Sequence, residues 1–152
     1  MQISEKPLKI RNPAFIAQAR EIFQKANFIR DVGYELVAID AGRCKSRLTL
    51  ADRHLQQNNF VHAGVIATMA DHTAGAAGGT LIGEKDVVLS VEFKVNLLRP
   101  CLGDELICEA AVLKNGKTII VAESQVYAVK KGRGKLAAKA TVTLAVVGAS
   151  YA

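Results

Sequence analysis

The segment NNFVHAGVIATMADHTAGAAGGTL, spanning 58–81, is almost wholly small and apolar, yet it carries Asp71 and His72 at its centre. Charged side chains are seldom left unpaired in such a setting, because taking them out of water is costly. Two readings of Asp71 stand side by side. In one it is a core carboxylate held by hydrogen bonds to backbone or to a partner. In the other it lines a cleft of low dielectric, where a carboxylate suits general-base or nucleophilic work.

The spacing adds a geometric condition. A helix starting near Ala63 offers the amides of Ala63 and Gly64 as unpaired donors at its positive end, a place for a carbonyl oxygen that turns negative during reaction. Asp71 follows Ala63 by eight residues, which is about 12 Å along the axis at ~1.5 Å per residue. Groups so far apart cannot serve one carbon. If they cooperate, a second copy of the helix runs antiparallel beside the first, and the expectation is a dimer with its sites at the interface. His72 projects about 100° away from Asp71 on a helix, so it is read as structural. His62 is placed at the helix entrance, fixing the turn, and His54 in a surface or loop position. A metal site has no support, since there is no His-x-x-x-His and no Cys–His spacing. Gly75, Gly78 and Gly79 do not make a strand-preceded G-x-G-x-x-G, and no G-x-S-x-G elbow exists.

Other elements must hold this helix. Asn12-Pro13 reads as a helix start, and Phe15, Ile16, Ala19, Ile22, Phe23 and Ala26 recur at three and four, so 13–26 is predicted to be an amphipathic helix. From Tyr34 the period becomes two. YELVAID and RCKSRLTL flank Asp40-Ala41-Gly42 as a hairpin with one wet face. After the central segment come DVVLSVEFKVNLL, ELICEAAVLK, TIIVAESQVYAVKK and KLAAKATVTLAVV, the last three joined into an antiparallel meander through Asn115-Gly116 and Gly132-Arg133-Gly134. The predicted class is α+β, a sheet of five to six strands with one buried helix.

The 152 residues suit a single domain, with 50% hydrophobic and 22% charged residues as in ordinary globular chains. Three ionisable groups within 61–82 argue that the apolar helix is buried in protein and does not cross a bilayer. The first residues show no apolar signal segment. Cys44, Cys101 and Cys108 are odd in number and form no C-x-x-C, which argues against disulfides and fits a reducing cytoplasm. The net charge of +6 is spread without a basic stripe through the middle. Its densest cluster, KKGRGK at 130–135, reads as a solvated hairpin tip; without aromatics to stack bases it is a poor nucleic-acid patch.

HLQQNNFVHAGVIATMADHTAG, SVEFKVNLLRPCLGDEL and VLKNGKTIIVAESQVY together resemble the hotdog-fold acyl-CoA thioesterases of the phenylacetic-acid-degradation (PaaI-like) type, over roughly 34–147. That resemblance implies a long helix wrapped by a curved antiparallel sheet, assembled as dimers or dimers of dimers, hydrolysing acyl-CoA without metal or cofactor. It places the helix carboxylate on Asp71, nine residues after the motif histidine His62. The amide that polarises the thioester carbonyl falls on Ala63, the assisting Asn or Gln on Gln56, and a water-placing Ser or Thr on Ser90. One departure is plain: the family usually has His-Gly-Gly where this chain has His62-Ala63-Gly64. Since the donor is a backbone N–H, alanine can supply it, although its methyl narrows the cleft. Asp71 would activate water or attack directly to form an anhydride.

Coenzyme A carries phosphates, so cations at the cleft mouth are expected to hold it, with Arg99, Lys94 and the hairpin lysines as candidates. His62 and Gly64 would also line the substrate. Against this reading stand a non-catalytic acyl-CoA-binding or regulatory protein that does not depend on Asp71, and a dehydratase or hydratase, which calls for a cleft His paired with an acid. Nucleic-acid binding would demand strong salt dependence.

Overall fold

The protein is described by a computed structural model covering residues 8–148 and 150. Its N-terminal region forms two helices, α1 (Phe15–Lys25) and α2 (Asn27–Val32). The first starts two residues later than Pro13 suggests. Asn12 is buried and its Oδ1 accepts the Ala14 N–H at 2.8 Å, so this side chain closes the turn ahead of the helix. At Ala26 the backbone opens to ψ 101, and a second short helix follows that alternation of apolar residues did not disclose. It ends at Gly33, whose φ of 100 supplies the left-handed turn and whose N–H bonds the Ile29 carbonyl.

Six strands follow the predicted runs closely: β1 (Glu35–Asp40), β2 (Arg43–Thr49), β3 (Asp86–Leu97), β4 (Glu105–Asn115), β5 (Ile119–Lys130) and β6 (Arg133–Gly148). They make one antiparallel sheet in the order β1-β2-β4-β5-β6-β3. The turn between β5 and β6 is Lys131-Gly132, both with positive φ, and Gly134 lies within β6 instead of the turn. Alternation along the strands decides the faces. Leu48, Leu106, Cys108, Ile120, Val126 and Leu144 are fully buried toward the helix side, while Lys45, Glu109, Glu123 and Lys139 pair on the outer side.

Across the concave face lies α3 (Ala63–Gly79). Ile66, Ala70, Ala74 and Ala77 recur toward the sheet and are buried. Close approach is enforced at Gly78, where a Cβ would come within 2.5 Å of Leu144 Cδ1. The buried polar atoms on this seam are satisfied. Ser124 Oγ donates to the Ala70 carbonyl at 2.7 Å, Thr73 Oγ1 donates to the Met69 carbonyl at 2.6 Å, and Ser46 Oγ lies 2.7 Å from Thr73 Oγ1, to which it can donate. α1 covers the other side through Phe23, whose ring meets His72 edge-on at 4.6 Å. No helix among the described residues is long and apolar enough to cross a membrane.

Candidate functional site

The loop before α3 sets the helix entrance. A short 3-10 turn (Asp52–His54) places His54 in the loop before α3, within the surface-or-loop expectation, but buried and not at the surface. The Ala51 N–H reaches its Nδ1 at 3.0 Å, so the proton sits on Nε2 and is donated to the Val32 carbonyl at 2.8 Å. The His54 carbonyl in turn accepts the His62 N–H at 2.9 Å. His54 thus ties the end of α2 to the start of α3, a role signalled in the sequence by nothing more than its nearness to His62.

His62 is the N-cap of α3, and its ring Nδ1 accepts the Gly64 N–H at 2.9 Å. Of the two amides expected to be free, Gly64's is therefore taken. The Ala63 amide has no hydrogen-bond partner among the described residues, and Ala63 is exposed. It faces a cleft of about 460 Å³ whose lining includes Gln56, Phe60, Ile66, Leu97 and Arg99. This brings three of the expected site residues, Gln56, Ala63 and Arg99, to one cavity. Gln56 is oriented within its loop by accepting the Asn58 N–H on Oε1. Because the donor is a main-chain N–H at a helix start, the local field favours an oxygen bearing negative charge.

Asp71 and Ser90 form a separate group. Ser90 Oγ donates to Asp71 Oδ1 at 2.7 Å, joining mid-α3 to mid-β3. The strand achieves this with a bulge. Ser90 pairs with Leu144 and Glu92 with Thr143, leaving Val91 extra. On β6, Val142 and Leu144 face the core, and their partners are Phe93 and Ser90. The extra residue thereby keeps Ser90 and Phe93 on the concave face although their numbers differ in parity. The carboxylate is half-buried, with its Oδ1 fixed by the serine hydroxyl.

His72 points elsewhere, as the 100° step requires. It sits against Phe23, its buried Nε2 has no hydrogen-bond partner among the described residues, and burial lowers its pKa to about 4. Lys94 pairs with Thr141 on the outer face, away from the cleft, while Arg99 lines it. Cys44, Cys101 and Cys108 are free and buried; burial pushes their thiols up to about 12, 11 and 12. Sequence reasoning missed the contribution of Leu97 and Phe60 to the cleft, since each reads equally well as ordinary core.

Comparison with known proteins identifies the family and the fold. The thioesterase superfamily profile matches residues 58–135. A provisionally named esterase of Saccharolobus solfataricus is 31% identical over 126 residues, covering 82% of this chain and 87% of the relative. A thioesterase family protein from Silicibacter pomeroyi superposes with a TM-score of 0.86 at 31% identity, over 88% of this chain and 98% of that one. The PaaI protein of the E. coli phenylacetic acid degradation operon shares the fold, with a TM-score of 0.77 at 19% identity over 88% and 94% of the two chains. Helix, sheet order and sequence agree in assigning the chain to the thioesterase superfamily: it is a thioester hydrolase on the hotdog fold.

Proposed function

We propose that the protein hydrolyses acyl-CoA thioesters at two sites shared between the chains of a homodimer, each combining Ala63 and Gln56 of one chain with Asp71 and Ser90 of the other. The observation that carries this reading is the separation of the two groups. The free Ala63 amide lies in one cleft, and the Asp71–Ser90 pair is about 12 Å further along the same helix. An antiparallel neighbour places each group opposite its counterpart. The Ala63 N–H then receives the developing oxyanion, Gln56 assists at the thioester, and Asp71, aligned by Ser90, activates water or attacks the carbonyl.

Two features support a second copy. β3 lies at the end of the sheet with one edge unpaired among the described residues, and it exposes Leu89, Val91, Phe93 and Leu97. A long apolar edge of this kind invites pairing with another strand. On α3, a Cβ at Gly75 would meet nothing within 4 Å among the described residues, so the helix is open at that point. Curated relatives include 1,4-dihydroxy-2-naphthoyl-CoA thioesterase 2 of Arabidopsis thaliana, 29% identical over 68% of this chain, which favours a CoA thioester as substrate. Free buried cysteines suit a reducing cytoplasm.

The test is release of free thiol from a panel of aryl, short, medium and long acyl-CoAs. Asp71→Asn is expected to lose a factor of about 10²–10⁴ in kcat on the preferred class. Mixing refolded Asp71→Asn and Ala63→Pro chains should restore roughly a quarter of wild-type turnover, because each mixed dimer holds one intact site. Full activity in Asp71→Asn, or mixed dimers that form but stay silent, would overturn the shared-site reading.

A further inference from the structure

Next to the Ala63 cleft lies a second hollow of about 780 Å³, lined by Arg99, Pro100, Lys130, Lys131, Arg133 and Lys135 among others. Strand register explains why so many cations meet there. Along β5 the helix-facing positions are Ile120, Ala122, Ser124, Val126 and Ala128, all buried, and the next in alternation is Lys130. Across the hairpin Lys130 pairs with Arg133 and Ala128 with Lys135. Three cations therefore stand on the concave side where the strands run past the core. Lys131 occupies the turn at φ 51, with Gly132 at φ 74, giving the tight connection that holds the two strand ends together.

Among the described residues none of these five cations belongs to an ion pair. One carboxylate touches the tip: Asp104 Oδ2 accepts the Lys131 backbone N–H at 2.9 Å. Five like charges around one concavity repel each other and raise the local concentration of anions.

Resting on the acyl-CoA reading above, we propose that this hollow binds the phosphate groups of coenzyme A, with the thioester end reaching the Ala63 amide of the same chain. Arg99 and Pro100 line both cavities, so an extended ligand passes from one to the other without leaving the surface. Along that path the lining changes from Leu97, Leu98 and Ile66 to cations. A molecule with an uncharged thioester arm and a polyanionic end fits that gradient. Lys130, Arg133 and Lys135 stand on the concave side of the sheet, which suits a small nucleotide better than the broad surface of an acidic carrier protein.

The probe is adenosine 3′,5′-bisphosphate, titrated calorimetrically into the full-length wild type and into Lys130→Gln/Arg133→Gln/Lys135→Gln. Wild type should bind it with an affinity that falls as salt rises, and the triple variant should bind about tenfold more weakly or worse. In parallel, the preference in kcat/KM for an acyl-CoA over the same acyl-pantetheine, which lacks the nucleotide, should fall by about tenfold in the variant. Three results would overturn the proposal: bisphosphate binding that the variant leaves intact, an unchanged preference, or a wild type that ignores the bisphosphate while favouring an acyl carrier protein thioester. The wild-type titration stands even if the variant misfolds. Salt-sensitive bisphosphate binding by a wild type that turns over no thioester would sink the hydrolysis reading and leave the phosphate site standing.

Discussion

Ala63 and Asp71 occupy the same helix, one at its first residue and one in its middle, and they make opposite demands on the sequence. In the proposed reaction the useful group at Ala63 is a main-chain N–H, which any residue except proline provides. At Asp71 that reaction uses instead the side-chain carboxylate, which Ser90 holds by a hydrogen bond. The first place is exposed at the end of a helix; the second is half-buried between a helix and a strand. The contrast teaches that side-chain identity is a weak guide to a backbone site, and that a substitution must be chosen by the atom it removes.

Ala63→Pro breaks the comparison most sharply. Proline is tolerated at the first position of a helix, where its missing N–H is not needed for folding, and His62 already has the extended backbone that a following proline requires (ψ 137). Turnover of acyl-CoA should drop by about 10²–10³ with the circular dichroism spectrum unchanged. Ala63→Ser, which keeps the amide, should stay close to wild type. Equal activity in both variants would remove the amide from the mechanism.

His72 sharpens the contrast from the other end, since it neighbours Asp71 in sequence but faces α1. Burial lowers its pKa from 6.5 to about 4, so the folded state favours the neutral ring. The unfolded chain takes up the proton first as pH falls. Stability is therefore full above about pH 6.5 and declines toward pH 4, by about 3 kcal/mol at most. Urea midpoints measured across that window should slope for the wild type and be flatter for His72→Gln.

The smallest effects separate the two faces of α3. Gly78→Ala drives a methyl into Leu144 and should cost about 1–3 kcal/mol in thermal or urea unfolding. Gly75→Ala meets nothing among the described residues and should gain up to about 1 kcal/mol of helix propensity. A loss at Gly75, accompanied by dissociation in sedimentation, would measure whatever covers that face in the assembly.

Much of the fold could be read directly from the residues. Alternation in the first hairpin and β-rich runs bounded by turn residues located all six strands within a residue or two, and the incongruous Asp71 marked the central helix. Less visible were features set by contacts distant in sequence. His54 resembles any polar loop residue until Val32 is brought beside it by the turn at Gly33. The helix α2 is six residues long, too short to show a period. KKGRGK is the exposed hairpin tip its glycines suggest, but alternation alone does not say which of its cations share a face; the register of Lys130 with Arg133 and of Ala128 with Lys135 does.

The extra residue at Val91 has a genetic corollary. Since Ser90 and Phe93 share a face because one residue intervenes out of step, β3 is a reading frame with a built-in shift. Losing Val91 would restore strict alternation with Ser90 and Phe93 two positions apart and still on one face, so a single-codon deletion here would straighten the strand without turning either flank inside out.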